Sequence, residues 1–482
     1  MKRFFIFLIT VTIALFAFPF TGCVKDEAIG RSFYDIKAVY DDTAHTLKCS
    51  MNVSYVNNSD AILDELCFHL YPNAYRKDAQ FKAVEESVRE VAYPHGESEG
   101  RIDVESVKRN GKDNEWSIEG MDDDILVVAL TKEIEPTERV ALDIDFTVYI
   151  PEVRHRLGWV GDTVNLGNWY PIACVKTQSG FDTSPYYSNG DPFYSDCSDY
   201  KLTLTAPSAY TVAMPGKSER RENGVNVTYV SVLENARDYA FVIGKFDTLS
   251  TKVNGVDINY YYLKDSDAEN TLACAKDAIA FFSDKFGAYP YSTYNVVETQ
   301  FVYGGMEYPS LVYISDTLNK SMCKEAVIHE TAHQWWYGVV GNDQINHAWM
   351  DEGLAEYSTT LFYEFNPSYN VTYRQRMADA MSAYIVYCDV TSYDGIMERN
   401  IGEFSAFDYT YVTYLKGALM FDAVRKTVGD EAFFRSLKNY KKEYSFKIAS
   451  VQGLINTFEN TTGRQLKNVF DSFLYGEAKI YR

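Results

Sequence analysis

Two of the seven histidines stand four residues apart in the stretch HETAHQWW, which covers residues 329–336. On a helix, a spacing of four places both imidazoles on one face, while the glutamate Glu330 projects about 100° away from His329. A zinc hydrolase needs three protein ligands and an open fourth position for water. His329 and His333 can supply two of these ligands. The same spelling also arises by chance on an ordinary amphipathic helix, so a third ligand has to decide between the two interpretations.

The third ligand is expected from a second helix. Glu352 lies 19 residues after His333, inside WMDEGLAEYSTT, where Asp351 places negative charge in the first turn of a predicted helix. Glu356 follows one turn later and shares the face of Glu352. Glutamates usually occupy solvated helix faces, so this pair alone would indicate little. Taken together with HETAH, the pattern predicts that His329, His333 and Glu352 form one metal site.

Two further motifs flank this pair of helices. GGMEY occupies residues 304–308, upstream of HETAH, and VTYLKG occupies residues 412–417, downstream of Glu352, with Tyr414 inside it. HETAH, then 18 residues and a glutamate, with these two motifs in this order, resembles the gluzincin metallopeptidases of the aminopeptidase N and leukotriene hydrolase family. The resemblance covers about residues 31–482. It implies an α+β fold: an N-terminal β-saddle domain followed by a thermolysin-like, mainly helical zinc catalytic domain.

The resemblance also implies a role for each of the central residues. His329, His333 and Glu352 would hold one Zn²⁺ per chain. Glu330 would act as general base on the zinc-bound water and then pass the proton to the leaving amine. Tyr414 would donate a hydrogen bond to the tetrahedral oxyanion.

In the same family, the GGMEY segment binds the substrate. Glu307 would pair with the free α-ammonium of a peptide, so that residues are removed one at a time from the N-terminus. Gly304, Gly305 and Met306 would form a strand that the peptide backbone approaches closely. A glycine-rich turn with an exposed glutamate is the alternative interpretation of these letters.

Two features are specific to this chain. Glu356, one turn beyond a ligand, is expected to accept a hydrogen bond from His329. Tyr308 stands where the family has Asn, so we expect a differently shaped amine site. The glutamine or glutamate that the N-terminal domain of relatives contributes to this site cannot be named from the sequence. WYP at residues 169–171 lies near the place where it is expected.

The function predicted from this pattern is that of a zinc-dependent aminopeptidase, which removes N-terminal residues from extracellular peptides. Two alternatives stay open. One is a zinc endopeptidase on the same fold, and the other is a non-catalytic, peptide-binding surface lipoprotein. Loss of a ligand or of Glu330 would be the signature of the non-catalytic protein, and neither is lost.

The first residues are typical of an export signal. Lys2 and Arg3 precede a 17-residue apolar run, and Thr21-Gly22 then precede Cys23. We expect residues 1–22 to be a lipoprotein signal peptide, with lipid added to Cys23 and a tether over residues 23–30. An uncleaved anchor helix is the alternative. Both place the protein outside the cytoplasm, at a bacterial cell membrane.

The remaining chain changes character near residue 246. Residues 31–246 are strand-like, as in the alternating stretch KLTLTA, and are predicted to form a β-rich domain. Residues 247–482 are dominated by helical periodicity and are predicted to form the catalytic domain. Within the first part, the tyrosine-rich segments 68–75 and 186–196 are candidates for lining a groove, although surface packing of aromatic residues would explain them equally well.

Composition limits the partners. There are 46 basic and 67 acidic residues, so the formal net charge is −21, which excludes nucleic acid as a partner because phosphate binding requires a basic surface. The expected partners are peptides and, through the lipid, a membrane; the oligomeric state stays open. Seven cysteines follow Cys23 without a C-x-x-C pair, so no disulfide framework is predicted. One or two bridges, such as one between Cys174 and Cys197, stay open.

Overall fold

The computed structural model describes residues 30–476. The predicted signal peptide, Cys23 and nearly all of the tether lie outside the described residues. Among the described helices, none is both long and apolar enough to cross a membrane.

The first half of the described chain is built from β-strands. They are β1 (Phe33–Asp41), β2 (Thr46–Val56), β3 (Leu63–His69), β4 (Arg101–Arg109), β5 (Lys112–Asp113), β6 (Trp116–Glu119), β7 (Ile125–Ile134), β8 (Arg139–Tyr149), β9 (Leu157–Val160), β10 (Thr163–Leu166), β11 (Ile172–Ala173), β12 (Lys176–Thr177), β13 (Gly180–Phe181), β14 (Ser198–Pro207), β15 (Thr211–Ala213), β16 (Lys217–Asn223), β17 (Asn226–Ala236) and β18 (Phe241–Gly244). One short helix, α1 (Arg89–Ala92), interrupts them.

An eight-stranded sheet dominates this half, in the order β16-β17-β14-β1-β2-β8-β4-β5. Buried and partly buried residues alternate along β14, as the KLTLTA stretch predicts, because one face of the sheet packs on the core and the other faces solvent. Two four-stranded sheets, β15-β18-β10-β9 and β11-β3-β7-β6, pack beside it. Their short strands lead into the loops that reach the second half.

The second half begins with a five-stranded sheet and continues as helices. Its strands are β19 (Asp247–Val253), β20 (Val256–Tyr262), β21 (Thr293–Thr299), β22 (Gly305–Met306) and β23 (Leu311–Ser315), in the order β19-β20-β21-β23-β22; a small pair, β24 (Val340–Gly341) and β25 (Lys447–Ile448), lies apart. Its helices are α2 (Ala268–Phe286), α3 (Lys320–His333), α4 (Gln344–His347), α5 (Trp349–Phe365), α6 (Tyr373–Thr391), α7 (Ala406–Asp408), α8 (Gly417–Val428), α9 (Asp430–Tyr444), α10 (Val451–Thr462) and α11 (Lys467–Leu474). A π-helical segment, Tyr409–Lys416, joins α7 to α8.

The division at residue 246 stays a prediction, but the two halves are firmly packed against each other. Arg237, 1% exposed, donates to the carbonyls of Tyr337 at 2.7 Å and Lys447 at 2.5 Å in the second half, and to Ser195 at 2.9 Å in the first. A side chain at Gly341 would collide with this guanidinium. A buried charge with several hydrogen bonds is costly to displace, so this contact fixes the halves relative to each other.

The seven cysteines between Cys49 and Cys388 are all buried free thiols, so the bridge considered between Cys174 and Cys197 is not formed. Cys174 instead packs beside Cys67, on the neighbouring strand β3, in a small apolar cluster with Ile125. Small buried thiols behave here as apolar residues.

Candidate active site

Two neighbouring helices bring the three predicted metal ligands together. Helix α3 begins at the N-cap Asn319, whose side chain accepts hydrogen bonds from the amides of Ser321 and Met322. It ends at His333, so both histidines lie in its last two turns. Glu352 lies in the first turn of α5, which packs on α3. The two HETAH histidines thereby meet a carboxylate that follows 19 residues later in the chain.

The ligand atoms have the spacing that zinc requires. Nε2 of His333 lies 3.1 Å from Nε2 of His329 and 3.1 Å from Oε2 of Glu352, and the third side of this triangle is 3.2 Å. Zinc bonds to nitrogen and oxygen of about 2.0–2.1 Å would place tetrahedral ligands about 3.3 Å apart. Three acceptor-type atoms held this close repel one another unless a cation or a proton lies between them. The donor set therefore fits zinc.

The outer nitrogens of both histidines are oriented by partners. Nδ1 of His333 donates to the carbonyl of Trp336 at 3.0 Å. Nδ1 of His329 faces Oε2 of Glu356 at 3.6 Å, so the predicted pair lies side by side at a distance slightly longer than a hydrogen bond. Partners of this kind fix the tautomer in which Nε2 is free to bind metal.

The two ligand histidines also act on the pKa of the ligand carboxylate, Glu352. Burial acts to raise the pKa of Glu352, but the charges of His333 and His329 outweigh it and hold this pKa below its usual value. Glu352 is therefore ionised, as a metal ligand must be.

Glu330 lies beside the metal site without belonging to it. Its side chain lines the same cavity as the ligands and approaches the edge strand β22. Burial raises the pKa of Glu330 to about 7, against the lowering effect of His329 and His333. A β-carbon on Gly305 would lie 2.3 Å from Oε1 of Glu330. Glycine at this position therefore leaves room for the carboxylate.

Tyr414 reaches the site from the π-helical segment. Its hydroxyl donates to Oε1 of Glu352 at 2.5 Å, and its ring lies 5.8 Å from the ring of His329. Burial, followed by the charge of Glu352, raises the pKa of Tyr414 well above its ordinary value, so the phenol keeps its proton. Local π-helix is frequent at functional sites because the extra residue per turn re-aims a side chain. VTYLKG predicts the tyrosine but not this distortion.

The site opens into a cavity of about 600 Å³ between β22, α3 and the π-helical segment. On one side it is closed where the loop 188–191 meets the segment 402–409: Asn189 donates to the carbonyl of Phe404 at 2.5 Å, and Gly190 packs against Tyr409. On the opposite side it is lined by Met322 and Glu325, which are half exposed. Several lining residues, among them Ser87, Met322 and Thr410, are exposed, so a peptide can reach the site from the surface.

Glu307 lies deep in this cavity and is 3% exposed. Its Oε1 has no hydrogen-bond partner among the residues that the structure describes. Burial, and then the nearby Asp191, raise the pKa of Glu307 well above its usual value. An unpaired buried carboxylate is costly, and a cation delivered to it would offset that cost.

The other residues of GGMEY divide between cavity and core. Gly304 and Gly305 line the cavity, and Gly305 pairs with Ile314 at the edge of the sheet, as expected for a strand that a peptide could extend. The Met306 side chain, by contrast, is buried, and its Sδ lies 3.2 Å from Nε of Arg156. It is not among the residues lining the cavity. Its predicted contact with substrate is therefore not made by its side chain in this structure.

Tyr308 also turns away from the cavity. Its buried hydroxyl donates to Oδ1 of Asn168 at 3.1 Å, and Asn168 donates to Asp238 at 2.8 Å in the first half. A side chain at Gly167 would collide with the hydroxyl. The residue that replaces the family's Asn thus joins the two halves of the molecule instead of shaping the cavity wall.

The structure adds two residues that sequence reasoning missed. Asp191 and Arg156 are buried in the cavity wall, where Nη2 of Arg156 donates to Oδ1 of Asp191 at 2.6 Å. Asp191 belongs to the tyrosine-rich segment 186–196, which was a candidate for lining a groove and does so. The segment 68–75 instead forms a buried turn on the core. Arg156 had no signal in the sequence.

Comparison with known proteins gives the same assignment from independent information. Residues 270–473 match the family model described as the Peptidase family M1 domain. Aminopeptidase M1-B of Oryza sativa subsp. japonica is 26% identical over 297 residues, which cover 57% of this chain and 34% of the relative. Aminopeptidase N of Streptomyces lividans is 24% identical over 301 residues, with 56% and 34% covered. The chain thus spans about a third of the length of the curated relatives it matches.

Solved structures agree with the fold. An M1 zinc metallopeptidase of Deinococcus radiodurans, solved as a variant, superposes with a TM-score of 0.66 at 17% identity, covering 93% of this chain and 95% of that chain. A variant of the same enzyme bound to a Tyr-Ser-Ala substrate gives a TM-score of 0.66 at 18% identity, with 93% and 94% covered. These matches confirm the predicted α+β fold. HETAH and Glu352 lie together as a donor set for zinc inside the segment that matches the Peptidase family M1 domain, so this part of the chain is similar to the gluzincin zinc metallopeptidases of the aminopeptidase N family.

Proposed function

We propose that this chain is a zinc aminopeptidase that removes single residues from the N-termini of peptides. The observation that carries the proposal is the buried carboxylate of Glu307, which lines the same cavity as the metal ligands and has one oxygen, Oε1, without a hydrogen-bond partner among the described residues. A free α-ammonium is the cation that a peptide can deliver to this oxygen. Asp191 lies close enough to Glu307 to add to the negative charge there.

The chemistry at the scissile bond follows from the remaining side chains. His329, His333 and Glu352 would hold zinc, which would act as a Lewis acid that polarises the carbonyl and lowers the pKa of water. Glu330 accepts the proton of the attacking water and delivers it to the nitrogen of the leaving amine. Tyr414 donates a hydrogen bond from its hydroxyl to the oxyanion. The oxyanion of the substrate then replaces Glu352 as the acceptor of this hydrogen bond.

The backbone of the substrate is held by β22. This strand lies at the edge of its sheet, and Gly304 and Gly305 add no side chains of their own to the cavity that they line. A peptide that adds to this edge by main-chain hydrogen bonds places its first residue at the closed side. The rest of the peptide extends past the half-exposed Met322 and Glu325 into solvent. This exit sets no limit on the length of the peptide.

A cleavage ladder tests the proposal. A mixed pool of peptides is incubated with the enzyme, with and without N-terminal acetylation, and the products are identified by mass spectrometry. We expect successive loss of single N-terminal residues from the free peptides and no cleavage of the acetylated ones. Internal cleavage that persists after acetylation would instead establish the endopeptidase alternative. No cleavage in either pool, with zinc bound, would favour a non-catalytic peptide-binding protein.

We further propose that the enzyme is held at the outer face of a bacterial membrane by lipid on Cys23 and acts on extracellular peptides. The support is the sequence alone: a basic start, an apolar run and a small-residue pair before the cysteine. Cys23→Ala should shift the protein from the membrane to the soluble fraction of fractionated cells and abolish incorporation of labelled fatty acid. Unchanged labelling of the variant would contradict this assignment.

A further inference from the structure

The two ligand histidines are supported in different ways. His333 donates to a main-chain carbonyl, which the backbone holds in place. His329 depends on the side chain of Glu356, which has three rotatable bonds and four-fifths of its surface buried. A carboxylate can orient a ligand histidine only if its own side chain is fixed by other contacts. If the carboxylate rotates, the orientation of the histidine ring changes with it.

Arg376, on α6, holds this carboxylate. Its Nη2 donates to Oε1 of Glu356 at 2.5 Å, while Oε2 of the same carboxylate is left facing His329. Its Nη1 donates to Glu325 at 2.5 Å, and its Nε donates to Oγ1 of Thr360 at 3.1 Å. Each nitrogen of the guanidinium is therefore engaged, and its partners come from α3 and α5.

Three helices thus meet at one guanidinium. Arg376 is 13% exposed, and its charged carbon lies 5.3 Å from the ring centroid of Tyr363. A planar, forked donor that is packed on a ring and bonded on three sides has one orientation, unlike a flexible ammonium. Glu356 has no such constraint of its own.

We propose that Arg376 is a positioning residue for the zinc site, which acts through Glu356 to fix the ring of His329 for metal binding. The chain of contacts runs from the guanidinium to Oε1 of Glu356, and from Oε2 to Nδ1 of His329. The inference rests on the zinc site and not on the identity of the substrate.

The charges favour the same arrangement. Without Arg376, Glu356 and Glu325, which line the same cavity as Glu352, would lose the guanidinium that pairs with both of them. A carboxylate freed from its arginine could turn towards solvent or towards the metal, and either movement would release His329. Retention of zinc is therefore the property that should respond to Arg376.

The experiment measures the rate at which zinc leaves the purified holoenzyme in excess chelator. Arg376→Met keeps the packing on Tyr363 but removes all hydrogen bonds, and we expect zinc release about 10–100-fold faster than in the wild type. Arg376→Lys should restore part of the loss, because it keeps the charge but not the fork. Glu325→Gln is the matched control: it alters the half-exposed partner of the same arginine, which does not contact His329, and should change the rate less than about 2-fold.

A double variant separates positioning from general packing. If Arg376 acts through Glu356, zinc release from Arg376→Met combined with Glu356→Gln should be no faster than from Glu356→Gln alone. Multiplicative effects, an unchanged rate in Arg376→Met, or an equal effect of Glu325→Gln would overturn the proposal. If the Met variant fails to fold, Arg376→Lys provides the same comparison. Because the readout is zinc release, its outcome is independent of whether the enzyme proves to be an aminopeptidase.

Discussion

Replacing Glu330 by glutamine is expected to lower kcat by about 10²–10⁴-fold, which is the range that general acid–base catalysis contributes. The zinc content should stay at one ion per chain. The amide has the shape of the carboxylate but cannot accept the proton of water. The three atoms that face one another at the metal site come from His329, His333 and Glu352. Glu330 contributes none of them, so binding of the metal should not depend on it. Glu431→Gln, at a glutamate whose side chain is 93% exposed, is the matched control and should retain full activity.

Zinc content by elemental analysis and kcat on a free-amine peptide are the two measurements. A variant that keeps its zinc and its turnover would show that Glu330 is not the base. A variant that loses zinc would show that the carboxylate belongs to the metal site.

The packing of Gly305 offers a second route to the same carboxylate. A β-carbon there would lie 2.3 Å from Oε1 of Glu330, so Gly305→Ala must displace the base or the edge strand. Gly304→Ala is its neighbour in sequence and meets nothing within 4 Å. Activity should therefore fall much further in the first variant than in the second. Equal losses would indicate that the strand, and not the base, is the sensitive element.

The sequence predicts the parts of this site that depend on local periodicity. The spacing in HETAH places both imidazoles on one helix face whatever surrounds the helix, and helix α3 carries them as expected. GGMEY is recognised by its likeness to a known family, and one of its glycines, Gly305, lies in an edge strand.

The sequence could not predict residues whose role arises from tertiary contact alone. Asp191 and Arg156 form a hydrogen bond although they are 35 residues apart in the sequence. Asp191 lies in a loop and Arg156 lies just before a strand, so no helical or strand periodicity links them. Arg376 reaches Glu356 from a separate helix, and one arginine among many exposed ones carries no signal of its burial. The position of Tyr308 in the motif predicts that it belongs to the amine site. In the structure its hydroxyl instead donates a hydrogen bond to Asn168 in the first half of the molecule.

Replacing Glu307 by glutamine is expected to remove the preference for a free N-terminus. The wild-type enzyme should cleave a free-amine peptide far faster than its desamino analogue, because only the former delivers a cation to the unpaired Oε1. Truncating one partner of a buried, hydrogen-bonded charge pair costs about 2–5 kcal/mol, so kcat/KM for the free peptide should fall by about 30-fold to 5,000-fold. For the desamino analogue it should change little.

The ratio of the two kcat/KM values, measured for wild type and variant, isolates the contact between the ammonium and this carboxylate from any general damage to the site. Glu325→Gln is the appropriate control, since it also removes a carboxylate from the cavity lining, at the open side. If the cavity attracted the ammonium only by its summed negative charge, both variants would lower the ratio alike. A selective fall in Glu307→Gln would place the N-terminus of the substrate at this carboxylate, and cleavage after a single residue follows from that anchor.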